Sequence, residues 1–328
     1  MVSLVEVAPA RSGFPRAAIE PSRSIRARPP RLVAEPSAEA AIGSFRQLDV
    51  SLDRSSATYW CMMRPERPCF EPSLLRDLRE MQLSLGRLFG GAHASEQQLR
   101  YFVVGSHSPG IFNLGGDLSL FASFIRSGDR AALAEYARAC IDVVHNNAIA
   151  YDLPVITIAM VQGDALGGGF EAALSCDIVV AERSAKFGLP EIVFNLFPGM
   201  GAYSFLSRRV GPRLAEKLIV SGRIYDAREL HEMGVIDMLV EDGEAPEAVR
   251  AYIARHTRRH SAEQMIYRVR RRVNPVSYEE LCDIADLWVE AALRVTEADL
   301  RKMQRIASAQ SRRWTLRQPA HSMAMQRA

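Results

Sequence analysis

Within two residues of the apolar run Val155–Val161, the chain enters Gly163-Asp-Ala-Leu-Gly-Gly-Gly-Phe-Glu171 and then a helix-forming stretch toward Cys176. A short apolar run bounded in this way reads as a buried strand, and three consecutive glycines permit a sharp turn straight into a helix. Strand, glycine turn and helix are followed by a second apolar run at Asp177–Glu182, so the middle of the chain is an α/β layer structure. The glycines also place bare N–H groups at a helix start, where they lack intrahelical acceptors and carry the positive end of the dipole. Such a place can hold an anion or a developing oxyanion, or it can be no more than a tight, closely packed turn. It is a poor nucleotide-phosphate loop, because neither Lys-Ser/Thr nor a G-x-G-x-x-G fingerprint is present.

Around this centre the pattern divides the chain. Residues 1–43 are Arg/Pro-rich, with six arginines between Arg11 and Arg31 and almost no apolar periodicity, and are expected to be a disordered tail. An electrostatic arm or an organellar transit peptide would have a similar composition. Residues 44–245 form the α/β core. Gln47–Asp53 and Ala57–Met63 alternate as paired strands, and a helix is expected from Pro72, with Leu74, Leu75, Leu78, Met81, Leu85 and Leu88 at helical spacing. Tyr101–Gly105 reads as a buried strand, Gly110–Asp117 as a loop and Ala131–Ala150 as an amphipathic helix. Residues 246–312 are expected to be helical, with a capping box at Ser277-Tyr-Glu-Glu280, and 313–328 to be a frayed tail.

Charge and cysteine usage exclude several classes. With 41 basic against 38 acidic residues, the chain as a whole is not built for a polyanion, and no nucleic-acid partner is expected. Cys61, Cys69, Cys140, Cys176 and Cys282 are odd in number and lack C-x-x-C spacing, and His256 and His260 lie in an Arg-rich stretch without carboxylate ligands. Neither disulfides nor a metal is expected, and no cofactor. The longest apolar run is too short to span a bilayer and the N-terminus lacks a secretory pattern, so a cytoplasmic location is expected.

Two glutamates stand out. Glu171 lies just inside the helix opened by the glycines, and Glu191 follows Lys186-Phe-Gly-Leu-Pro190. Either could be a helix-start or surface charge. Both nevertheless sit among glycine, proline and apolar residues, where a carboxylate is poorly hydrated and its pKa rises toward the range useful for proton transfer. A second glycine loop, Phe112-Asn-Leu-Gly-Gly-Asp-Leu118, follows the strand at Val103, and two strand ends can aim N–H groups at one point between them.

Gly163-x-x-x-Gly-Gly-Gly-x-Glu171, Cys176-Asp177, Phe187-Gly-x-Pro-Glu191 and Pro198-Gly-x-Gly201 resemble, in order and spacing, the signature of the crotonase (enoyl-CoA hydratase) superfamily, over about Gln47–Val240. The resemblance implies a spiral of ββα repeats with a helical C-terminal region, assembled as a homotrimer or dimer of trimers. It implies Glu171 and Glu191 as the catalytic acid–base pair and the N–H groups of Leu114 and Gly168 as the oxyanion hole. Gly115, Gly116, Asp117, Gly167 and Gly169 would support those loops. Upstream, Tyr59-Trp-x-Met-Met63, Arg67-Pro-Cys-Phe70 and the Phe112–Leu118 loop resemble bacterial synthases of diffusible signal factor, a cis-2-unsaturated fatty acid of quorum sensing. This implies dehydration of a 3-hydroxyacyl group on acyl carrier protein followed by thioester hydrolysis, with Glu191 taking the C2 proton and Glu171 helping the hydroxyl leave, or the reverse. A membrane sensor kinase is an implied regulator. The alternatives are a trans-2-enoyl-CoA hydratase of fatty acid oxidation and a non-catalytic scaffold binding RNA or a regulator. Leu118, Phe121, Phe124, Met160, Phe194, Phe197 and Trp288 are candidates for the acyl pocket, and Arg255, Arg258, Arg259, Arg268, Arg270, Arg271 and Arg272 for docking a carrier protein.

Overall fold

The computed structural model describes residues 43–90 and 98–317; most of the expected N-terminal tail and the last eleven residues of the expected C-terminal one lie outside the described residues. The chain opens with an antiparallel hairpin, β1 (Leu48–Asp53) on β2 (Thr58–Met63), as the alternation predicts. Helix α1 (Pro72–Phe89) follows, with proline in its first turn, where the missing N–H is not needed. From there each pass of the chain repeats one plan. A long strand joins the first sheet, a short strand joins a second sheet, and helices return to the start.

The first pass is β3 (Tyr101–Ser106), β4 (Ile111–Asn113), α2 (Leu118–Ser127) and α3 (Arg130–Ala148). The second is β5 (Ile156–Val161), β6 (Asp164–Leu166) and α4 (Gly168–Leu174). The third is β7 (Ile178–Glu182), β8 (Lys186–Gly188), a 3-10 turn at Pro190–Phe194, α5 (Ala202–Val210) and α6 (Pro212–Ser221). Strand β9 (Ile224–Asp226), α7 (Ala227–Glu232) and β10 (Met238–Val240) close the core. The first sheet runs β1-β2-β3-β5-β7-β10 and the second β4-β6-β8-β9, with β3, β5, β7 and β10 parallel. This is the spiral of ββα repeats implied by the sequence.

Both faces of the first sheet are covered, which is why β3, β5 and β7 read as unbroken apolar runs. Side chains alternate between two cores. Phe102, Val104, Ala159 and Val161 face the main one, whereas Tyr101, Val103, Ile156, Ile158 and Met160 face Val249 and Ile253 of α8 (Ala245–His256). Burying each of those two α8 residues stabilises the fold by about 2 kcal/mol.

The remaining described chain is helical: α9 (His260–Val273), α10 (Tyr278–Ala292) and α11 (Glu297–Arg317). Arg270 and Arg271 of α9 both donate to Asp177 Oδ1, at 2.7 and 2.6 Å, so these two are tied to the start of β7 and are not free docking groups. Ser277 caps α10 through Glu280 N at 3.0 Å, but the Glu280 carboxylate binds Arg208 instead of returning to the cap, so only half of the expected capping box forms. Helix α11 continues to Arg317, past the point where fraying was expected, with Trp314 packed on Ile111, Leu114 and Leu166. Among the described residues no helix is long and apolar enough to cross a membrane.

Candidate active site

Helix α4 is buried at all seven of its positions, and its entry requires glycine at the cap, Gly167, and at the second helical position, Gly169. Gly167 has φ +51°, and a Cβ there would lie 2.6 Å from Glu191 Oε1. At Gly169 a Cβ would lie 2.0 Å from the Asn113 carbonyl oxygen, so the helix start and the loop after β4 touch backbone to backbone.

Glu171, one turn into α4, is 1% exposed. Its Oε1 accepts from Met200 N at 2.8 Å and Ala202 N at 2.9 Å, both supplied by the Pro198–Gly201 loop as it turns into α5. Glu191 hangs from the 3-10 turn. Its residue surface is partly exposed, but Oε2 is enclosed and has no hydrogen-bond partner. The two carboxyl groups line one cavity of about 60 Å³, together with Leu114, Gly116, Gly167 and Gly168.

Burial raises both carboxyl pKa values, but unequally. The two N–H donors partly offset burial at Glu171, whereas the charge of Glu171 raises Glu191 further. The hydrogen-bond geometry thus favours the carboxylate at Glu171 and the carboxylic acid at Glu191. A carboxyl whose pKa is raised by folding adds stability below its unfolded value, and that stability is lost as pH rises through the folded value. Glu191→Gln is accordingly expected to stabilise the fold by on the order of 2 kcal/mol more at pH 9 than at pH 5. Urea denaturation at the two pH values measures this, and an identical increment at both would contradict the assigned burial of the acid.

Asp117 caps α2, accepting from Ser119 N and Leu120 N at 3.1 and 3.2 Å, and pairs with Arg67. Asn113 Oδ1 accepts from Gly115 N at 2.8 Å. These contacts hold the Phe112–Leu118 glycine loop against the site. Gly168 opens α4 with an N–H that the helix leaves without an acceptor. Leu114 departs from expectation: its N–H donates to Pro68 O at 2.7 Å, because the segment before α1 lies alongside the loop and Phe70 N returns a bond to Gly115 O at 2.8 Å. In this conformation the N–H expected to be the second oxyanion donor is occupied from within the chain.

Of the apolar candidates, Leu118, Phe121, Phe194 and Trp288 line the cavity. Met160 does not. It points to the opposite face of β5, into the α8 core, and Phe124 and Phe197 also lie outside the lining. The lining includes residues that sequence reasoning missed, Tyr136 and Cys140 on α3 and Ile306 and Gln310 on α11. Tyr136 and Cys140 lie on the inward face of the amphipathic helix α3, and nothing local marks them as cavity wall.

Residues 85–281, three-fifths of the chain, match the family model described as enoyl-CoA hydratase/isomerase. The chain belongs to this family. Among curated relatives it is 39% identical over 154 residues to the mitochondrial methylglutaconyl-CoA hydratase of Rattus norvegicus, covering 47% of this chain and 47% of that protein. The human counterpart is also 39% identical, covering 47% and 43%. The chain thus spans about half the length of the curated relatives it matches. Among solved structures, Pseudomonas aeruginosa DspI is similar at 27% identity and TM-score 0.61, over 72% of this chain and 91% of that one. Human mitochondrial delta3-delta2-enoyl-CoA isomerase shares the fold, with TM-score 0.65 at 18% identity over 82% and 99%.

Proposed function

We propose that this family member adds and removes water across the C2–C3 bond of an acyl thioester. The observation that carries this is the pair of enclosed carboxyl groups, one poised to ionise and one to stay protonated, on a cavity bordered by Gly168 N–H. The thioester oxygen would accept from Gly168, whose helix-end dipole stabilises enolate charge, on the order of 3 kcal/mol for one such donor. In the hydration direction Glu171 removes a proton from water as its oxygen bonds C3. The electron pair of the double bond passes to C2 and the carbonyl, and Glu191 delivers its proton to C2. Dehydration reverses each step, with Glu191 as base and Glu171 as acid. The resting proton distribution is the starting state for hydration.

A second reading, formation of a cis-2-unsaturated acid from a 3-hydroxyacyl carrier protein, is supported by the Arg67–Phe70 segment. This stretch of the signal-synthase-like motif supplies the Pro68 carbonyl that holds Leu114 N–H, and Phe70 bridges Gly116 beside the cavity. Similarity to DspI accords with it. In this reading a second water attacks the thioester carbon and the carrier thiol leaves with a proton. Arg255, Arg258, Arg268 and Arg272 are exposed and available to an acidic carrier, whereas Arg259, also exposed, pairs with Glu263 at 3.9 Å. A trimeric assembly is part of the same proposal.

Purified protein offered trans-2-enoyl-CoA and, separately, 3-hydroxyacyl carrier protein distinguishes the two. Loss of enoyl absorbance without free acid supports the hydratase reading, whereas a free cis-2-unsaturated acid seen by mass spectrometry supports the synthase. Turnover of neither substrate, by folded protein, would sink both and leave the scaffold alternative.

A further inference from the structure

A cavity of about 60 Å³ holds the two glutamates, far less than the roughly 300 Å³ or more that small-molecule sites enclose. A second cavity of about 130 Å³ lies outside it, bounded by Arg67, Pro68, Cys69 and Trp314 among others. The two share four lining residues: Leu114, Gly116, Leu118 and Gln310. Three of these belong to the glycine loop and the helix it starts. Gln310 alone comes from α11.

The spacing on α11 follows the same path. Ile306 lines the inner cavity, Gln310 both, and Trp314 the outer one. At i, i+4 and i+8 they occupy one face of the helix, which runs past both cavities. Gln310 also donates from Nε2 to Leu114 O at 3.3 Å, while Leu114 N–H is bonded to Pro68 O. Both polar groups of the residue expected to bind the thioester oxygen are therefore held from within the chain, and α11 holds one of them. Helix α11 additionally packs on α2 and on the turn that carries Glu191.

The geometry points to the bulk of Gln310 as the gate between the two cavities and to its amide as a positioning group for the Leu114 loop, so that an acyl chain enters only as this side chain moves aside. The gating role does not depend on which acyl thioester is used; its kinetic arm rests on the water-transfer reading above. Two cysteines report the gate without turnover. Cys140 lines the inner cavity and Cys69 the outer, whereas Cys61 is buried away from both.

The experiment is alkylation of the full-length protein with N-ethylmaleimide, followed by peptide mass spectrometry, for the native chain and the variants Gln310→Ala and Gln310→Met. In the native chain Cys69 should react well before Cys140. Gln310→Ala should speed Cys140 by about tenfold and leave Cys61 unchanged, while Gln310→Met, which keeps the bulk but not the amide, should leave Cys140 slow. An unchanged Cys140 rate in Gln310→Ala, a parallel rise at Cys61, or fast Cys140 labelling in Gln310→Met would overturn the gate. With enoyl-CoA substrates, Gln310→Ala should raise the long-chain to short-chain ratio of kcat/KM several-fold, and Gln310→Met should lower kcat about tenfold through the untethered loop. A ratio and a kcat unaltered by both variants would remove the positioning role. If no acyl thioester is turned over by the native chain, the proposed activity fails while the labelling result still decides the gate.

Discussion

Glu171→Gln and Glu191→Gln are each expected to lower kcat for water addition by about a thousandfold or more, with the fold retained. Neither amide can take a proton from water or deliver one to carbon, yet each fills the same space. At Glu171 the amide oxygen can still accept from Met200 N and Ala202 N, so the loop leading into α5 keeps its anchor. In the proposed mechanism the two residues act on one bond, and their losses should not add: the double variant should be little slower than the worse single one. Initial rates with an enoyl-CoA, alongside circular dichroism, test this. A Glu171→Gln protein within tenfold of the native rate would mean that water is activated by some other group.

Gly169→Ala should be the most damaging small substitution near the site, costing on the order of 3 kcal/mol of stability and abolishing turnover. Its Cβ would meet Asn113 O at 2.0 Å and Asn113 C at 2.6 Å, and both are backbone atoms that cannot rotate away. Relief requires moving Asn113, whose side chain holds Gly115 N, and with it the whole Phe112–Leu118 glycine loop. Gly86→Ala is the control. Within α1 a Cβ at Gly86 meets nothing within 4 Å, and the exchange should stabilise by about 1 kcal/mol. Denaturant midpoints measured side by side decide the matter, and equal midpoints for the two variants would refute the close backbone approach.

The local parts of this arrangement were legible in the amino-acid order. The strand, glycine turn and helix around Gly163–Glu171 are contiguous, and so are the proline and glycine neighbours that set Glu191 on its turn. What escaped depends on distant segments meeting. Strand β5 is apolar on both faces, so parity alone could not assign Met160 to one core or the other, and it belongs to the α8 side. The N–H of Leu114 is occupied by Pro68, forty-six residues earlier, and no local pattern announces that pairing. Gln310 is a single polar residue in a polar helix. Composition marks that helix as frayed beyond Arg312, yet Trp314 anchors its end on the second sheet.

Because α4 is enclosed at every position while Ile306 and Gln310 arrive from the last described helix, chemistry and capacity are lodged in separable parts of the molecule. Mutational drift in α4 is penalised at each step, whereas on α11 only the inward positions, Trp314 against the second sheet among them, are held in this way. Descendants of this scaffold could thus acquire tolerance for longer or bulkier acyl groups by changes at Ile306, on the last described helix, with α4 and its glutamate inherited intact.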